Sequence, residues 1–116
     1  MPMRVTGNII VDKSLEFALK VISFTEILEQ NKKFAIANQL IRCGTSIGAN
    51  IREAQNCESK LDFIHKFKIA AKEAEETEYW LLLCKYAPNY PYEEELMTQI
   101  KEIQKIINRI IKSAKS

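Results

Sequence analysis

The sequence predicts an all-α protein, an antiparallel up-down-up-down four-helix bundle, and three observations carry this prediction. The 116 residues include 3 Gly and 3 Pro, about 5% of the chain against roughly 12% in an average protein, so turns are few and elements are long. Apolar residues recur at helical spacings of three and four in four segments. The connections between these segments are short, which makes consecutive helices antiparallel neighbours.

The chain is predicted to have one domain after a short arm. Residues 1–11 contain the turn signal Gly7-Asn8 and should form an irregular N-terminal arm, and residues 12–116 a single four-helix-bundle domain. The apolar run at residues 9–11 is too short for a signal-peptide core. No stretch approaches 18 consecutive apolar residues, which argues against a transmembrane helix. The 47% hydrophobic content and the formal net charge of +2 argue against disorder.

The first two helices are predicted over residues 14–30 and 34–57. Asp12 or Ser14 can cap the first helix. The polar side chains of that helix form one narrow stripe, so most of its circumference should be buried.

Two of the three glycines lie inside the second predicted helix. Gly44 and Gly48 should each cost about 1 kcal/mol relative to Ala in a helix interior. Close approach of another helix, assisted by the small neighbours Thr45, Ser46 and Ala49, explains their placement. A hinge or a site of backbone contact is the alternative.

The third helix is predicted to begin at Ser59, with Asp62 three residues on as a capping-box variant, and to continue to about Tyr86. The loop at residues 87–92 holds two of the three prolines. The fourth helix, residues 93–114, begins with three glutamates, which the helix dipole favours. The apolar stripes are wider than one bundle interior requires, which predicts a homo-oligomer.

The three cysteines are predicted to be free thiols. Their number is odd and no CxxC pair occurs. Cys43 and Cys57 fall in the same predicted helix, where they would lie about 21 Å apart, well beyond the roughly 7 Å limit between the Cα atoms of a disulfide. Free thiols are typical of a reducing compartment, so a cytoplasmic location is expected.

The sequence contains no recognisable catalytic or metal-binding motif. A di-iron bundle needs two Glu-x-x-His motifs, but this chain has one histidine, in Asp62-x-x-His65. There is no Gly-rich phosphate loop, HExxH or CxxC. Residues 44–48, GTSIG, match the letters of GxSxG, but they lie inside a predicted helix and not on the strand-to-helix turn that this motif requires. Glu73 and Glu76 share a helix face and could serve acid–base chemistry, but a solvated or salt-bridged face is the simpler interpretation. We predict no enzyme, metal or cofactor, unless subunits pool ligands.

One face of the fourth helix is basic. Five cations stand opposite its isoleucine seam, and they are Lys101, Lys105, Arg109, Lys112 and Lys115. Such a stripe is what phosphate-backbone binding requires, so these are the candidate nucleic-acid-binding residues. Ordinary solvation is the alternative. A different class of function is a protein–protein adaptor without a nucleic-acid role, whose third helix meets a basic partner through Glu73, Glu75, Glu76 and Glu78.

The second helix carries a more specific pattern. Residues 39–54, QLIRCGTSIGANIREA, resemble the pattern Q-L-x-R-x-x-x-S-I-x-x-N-I-x-E-G of a bacterial four-helix-bundle family. That family includes proteins encoded in intervening sequences of 23S rRNA genes and accessory variability determinants of diversity-generating retroelements. The matching residues are Gln39, Leu40, Arg42, Ser46, Ile47, Asn50, Ile51 and Glu53. The resemblance covers about residues 13–115, and residues 62–66 and 70–81 look like the family's third helix.

This resemblance implies a homopentameric barrel with no known enzymatic activity. The retroelement members look like basic accessories, so it implies RNA or a reverse transcriptase as partner, beside further copies of the chain. The candidate assembly residues are Gln39, Arg42, Ser46, Asn50 and Glu53. Asn50 lies on the apolar stripe, where a buried amide can fix register or oligomer state. Arg42 and Glu53 share a face three turns apart, so we expect them to pair with neighbouring helices or subunits.

Overall fold

The computed structural model of the protein describes residues 3–116. It contains four helices, α1 (Ile9–Gln30), α2 (Phe34–Ala54), α3 (Lys60–Tyr86) and α4 (Glu94–Lys115). No strand occurs within the described range, so the all-α class and the number of helices are confirmed. None of the helices in this range is both long and apolar enough to cross a membrane.

The four helices form a ring in which α1 contacts α2, α2 contacts α3, α3 contacts α4, and α4 contacts α1. Ion pairs across two of these contacts run in opposite chain directions. They are Lys13–Glu102 and Lys20–Glu95 between α1 and α4, and Arg42–Glu73 and Lys66–Glu53 between α2 and α3. The bundle is therefore antiparallel at these contacts, and α2 lies diagonally across from α4.

Every helix contributes one apolar face to the core. The largest fully buried side chains are Phe17, Phe24, Phe67, Leu28, Leu40, Ile47, Ile51, Leu81, Leu96, Ile100, Ile103 and Ile107. Each such side chain contributes about 1.5–3 kcal/mol when it leaves water. The α4 members of this set belong to the predicted isoleucine seam, so the basic side of that helix faces outward.

Helix α1 begins at Ile9, five residues before the predicted start. Asn8 caps it from an extended conformation, and its side-chain oxygen accepts a hydrogen bond from the backbone N–H of Val11 at 3.3 Å. Ile10 and Val11 are buried in the first helical turn. The boundary predicted between arm and helix is thus wrong, because the cap is Asn8 and not Asp12 or Ser14. Of the predicted arm, residues 1–2 lie outside the described residues.

Asp12 holds the arm instead of capping the helix. Its carboxylate accepts hydrogen bonds from the backbone N–H of Thr6 at 2.9 Å, from the Thr6 hydroxyl at 2.8 Å and from the backbone N–H of Gly7 at 3.0 Å. The bond from the Thr6 amide is the largest cause that lowers the pKa of Asp12 below its ordinary value. The arm therefore folds back over the start of α1.

Helix α2 ends at Ala54, three residues before the predicted end, and α3 begins as predicted. Gln55, Asn56 and Cys57 donate their backbone N–H groups to carbonyls three residues earlier, which tightens the chain out of the α-helix. Ser59 is the N-cap of α3, and its hydroxyl accepts from the backbone N–H of Asp62 at 3.1 Å. The predicted Ser59 cap is confirmed.

The two helical glycines lie where α1 and α2 approach closely. A Cβ added at Gly44 would stand 2.9 Å from Cγ1 of Val21, and one added at Gly48 would stand 3.3 Å from Oγ of Ser14. Helix α2 is continuous through both positions. The prediction of close helix–helix packing at these glycines is confirmed.

Gly44→Ala is expected to lower the free energy of unfolding by about 1–2 kcal/mol, despite the higher helix propensity of Ala. The new methyl group would press on Val21, a fully buried β-branched side chain that cannot turn aside. Gly48→Ala meets a looser contact and should change stability by less than about 1 kcal/mol. Urea unfolding of both variants checks this, and a Gly44→Ala protein as stable as the parent would contradict the close approach.

Candidate nucleic-acid interface

The five cations predicted on α4 form one exposed surface, which we call the basic ridge: Lys101, Lys105, Arg109, Lys112 and Lys115. Within residues 3–116, none of them lies within 4 Å of a carboxylate. The one acid that interrupts the stripe, Glu102, is bonded to Lys13 of α1 at 3.2 Å. The ridge therefore carries positive charge that the described part of the chain does not neutralise by ion pairing.

Lys68 of α3 extends the basic ridge at its C-terminal end. Its side chain meets that of Lys115, and this contact with a second ammonium group lowers the pKa of Lys68 below its ordinary value. An anion bound between the two would relieve the repulsion. Sequence periodicity could not identify Lys68, because its position depends on the register of α3 against α4.

A polar groove separates the ridge from α3. Its lining includes Lys72, Glu75 and Glu78 from α3 and Gln104 and Asn108 from α4, and it encloses about 300 Å³. The side-chain amide of Gln104 donates to Oε1 of Glu78 at 2.9 Å. This bond crosses the groove and ties the two helices together.

Two of the signature residues in α2 form ion pairs with α3. Arg42 pairs with Glu73 at 3.4 Å and also with Glu76, while Glu53 pairs with Lys66 at 2.8 Å. Oε2 of Glu76 also accepts a hydrogen bond from the indole N–H of Trp80 at 3.0 Å. The expectation that Arg42 and Glu53 pair with a neighbouring helix is confirmed, and their partners belong to the same chain.

The polar signature residues Gln39, Ser46 and Asn50 are half-buried on α2. Gln39 accepts from Arg42 at 3.1 Å, and Asn50 donates its amide to the backbone carbonyl of Ser46 at 2.9 Å. Asn50 is half-buried, while its neighbour Ile51 takes the core position. The interpretation of Asn50 as a buried residue of the apolar stripe is wrong for the single chain, because the core face of α2 is rotated away from it. A role of these residues in assembly stays a prediction.

The acidic side chains considered for an adaptor are mostly engaged. Glu73 and Glu76 pair with Arg42, and Glu78 accepts from Gln104. Glu75 is exposed. Arg42 compensates only one of the two carboxylates it contacts, and the neutral amide of Gln104 compensates none, so Glu75 and Glu78 keep negative charge on α3.

Two of the three cysteines are buried, and the histidine is exposed. All three cysteines are free, and burial raises the pKa of Cys43 and raises that of Cys84 to about 11. His65 is exposed on α3. Across residues 3–116, no group of three or more His, Cys, Asp or Glu side chains is placed to hold a metal ion.

An apolar outer face lies on the α1–α2 side of the bundle. Leu19 and Ile22 of α1 are 45% and 40% exposed. A shallow depression on this side of the bundle is lined mostly by small or apolar residues, among them Leu15, Ala18, Thr45, Gly48 and Ala49, together with Arg52. Because α2 and α4 are diagonal, this face and the basic ridge belong to different sides of the bundle.

The chain is similar in sequence and in fold to known proteins. The family model for the 23S rRNA-intervening sequence protein matches residues 7–111. A crystal structure from Bacteroides thetaiotaomicron, described as a protein with unknown function from the S23 ribosomal protein family, has 45% identity and a TM-score of 0.84. The match covers 89% of this chain and 98% of that chain. No curated protein matches.

Proposed function

Because the chain belongs to the 23S rRNA-intervening sequence protein family, we propose that it is a non-enzymatic, homo-oligomeric protein that binds RNA through the basic ridge. One observation carries the proposal: the α4 cations share one exposed face and have no carboxylate within ion-pair distance among the described residues. Each phosphate that such a cation neutralises releases counterions, which drives binding without requiring a particular sequence.

Self-assembly through the apolar outer face is the second part of the proposal. Exposed Leu19 and Ile22 beside small α2 residues offer a surface that a helix of another copy can approach closely. The resemblance favours a pentamer. In such a ring the basic ridge would be repeated once per subunit, so several weak phosphate contacts would act together.

The alternative partners have less support. Glu73 and Glu76 of α3 share Arg42 of the same chain, so an adaptor for a basic protein would rest chiefly on Glu75 and Glu78. A reverse transcriptase partner rests on the family resemblance alone. The three free thiols favour the cytoplasm as the compartment of this activity.

A salt titration tests the proposed RNA binding. Four to six phosphate contacts per protomer predict that log K falls with log salt concentration at a slope of about −3 to −5. The measurement is fluorescence anisotropy of a labelled structured RNA between about 50 and 200 mM salt. Binding that does not weaken with salt, or no binding at the lowest salt, would contradict the proposal.

A further inference from the structure

Two tyrosine rings on the outer side of α3 are exposed, and each has a neighbour on its own helix: Trp80 meets Tyr79 edge-on, and the Lys85 ammonium lies 5.6 Å from the centre of the Tyr86 ring. Tyr79 is 55% exposed and Tyr86 is 75% exposed. Neither hydroxyl takes part in a hydrogen bond within residues 3–116. A tyrosine that serves packing keeps its ring against the core. Neither of these two rings does so.

These rings stand in line with one histidine and one lysine on the outer side of α3. His65, Lys72, Tyr79 and Tyr86 follow one another at intervals of seven, and all four are exposed. Residues seven apart share a helix face and are separated by about 10.5 Å. We call these four residues the outer line of α3. Lys68, which contacts Lys115, connects this line to the basic ridge.

Aromatic rings beside cations are what unpaired nucleotides require. The cations hold the phosphates, while each ring stacks on a base, and every base offers a face for stacking. In an RNA duplex the bases are already stacked and paired, so they offer no free face on which exposed tyrosine rings of α3 could stack. Glu75 and Glu78 line the groove between the basic ridge and the outer line, so a phosphate chain that reaches both surfaces must pass by Lys68 and Lys72 and not over these carboxylates.

We propose that Tyr79 and Tyr86 stack on unpaired bases of an RNA whose phosphates lie on Lys68, Lys72 and the basic ridge, so that this surface prefers single-stranded to duplex RNA. This inference rests on the proposed function. It names the class of RNA that the site takes.

The chain contains its own probe for this contact. Trp80 is the only tryptophan, and its ring lies 5.6 Å from that of Tyr79 in an edge contact. A base that stacks on Tyr79 would change the surroundings of Trp80. Its fluorescence should be quenched by a single strand and much less by a duplex.

The test measures binding of the assembled protein to two RNAs. One is a single-stranded oligoadenylate, and the other is the blunt-ended duplex that the same oligoadenylate forms with oligouridylate. The parent protein is expected to bind the single strand at least about tenfold more tightly, and Tyr79→Leu with Tyr86→Leu should remove that preference. Tyr79→Phe with Tyr86→Phe keeps the rings and should keep the preference. All variants should retain the parent's salt slope and helix content, because both side chains are exposed.

The outcomes separate this inference from the function on which it rests. Equal, salt-dependent binding of both RNAs by the parent would overturn the stacking inference and leave phosphate binding intact. A Phe variant that behaves like the Leu variant would overturn it as well. Failure of the parent to bind either RNA would overturn both proposals.

Discussion

Leu19→Glu combined with Ile22→Glu is expected to convert the assembled protein to a single folded protomer. Both residues stand on the apolar outer face, and an interface there would have to bury two carboxylates without partners. Light scattering should then give a mass of 13.4 kDa. A pentamer of the parent chain would have about five times that mass.

A matched variant tests whether the loss of assembly is specific to the apolar outer face or is a general effect of added negative charge. Leu61→Glu with Leu82→Glu makes the same chemical change at two exposed leucines of α3 and should leave the mass of the assembly unchanged. Helix content should persist in both proteins, because Glu is a good helix former at exposed positions. An unchanged mass for the α1 variant, or dissociation of both, would contradict the assignment of the face.

Lys105→Glu combined with Arg109→Glu is expected to weaken RNA binding at about 100 mM salt by roughly a hundredfold or more and to reduce the salt slope by about two. Both residues stand in the middle of the basic ridge. Their reversal removes two phosphate contacts and places two carboxylates where phosphates would lie. Fluorescence anisotropy with the same labelled RNA measures the loss.

The control variant has the same net charge as the ridge variant. Each reversal replaces one positive charge with one negative charge, so two reversals lower the formal net charge from +2 by four, to −2. Arg4→Glu with Lys32→Glu makes the same change at exposed residues outside the four helices and should cost much less affinity. Equal losses in the two variants would mean that net charge, and not the ridge, controls binding.

The sequence was informative wherever one helix alone determines the answer. The α4 seam and the exposed cations opposite it follow from a period of 3.6 residues within that helix. Gly44 stood out because glycine is rare in this chain and costly in a helix, and its partner Val21 explains it. The Ser59 cap needed only its own first turn.

The errors arose where distant parts of the chain meet. The start of α1 depends on the arm folding back onto Asp12, which frees Asn8 to cap the helix. Lys68 joins the ridge only through the register of α3 against α4. The position of Asn50 depends on how far α2 is rotated about its own axis in the bundle.

Lysine footprinting tests the central claim most directly, because it reports which side chains RNA covers. The protein is acetylated with and without bound RNA, and each modified lysine is quantified by mass spectrometry. RNA is expected to protect Lys101, Lys105, Lys112 and Lys115 and to leave Lys32, on the loop between α1 and α2, as reactive as before. Protection of Lys32 to the same degree, or unchanged reactivity of the four α4 lysines in the complex, would contradict that claim.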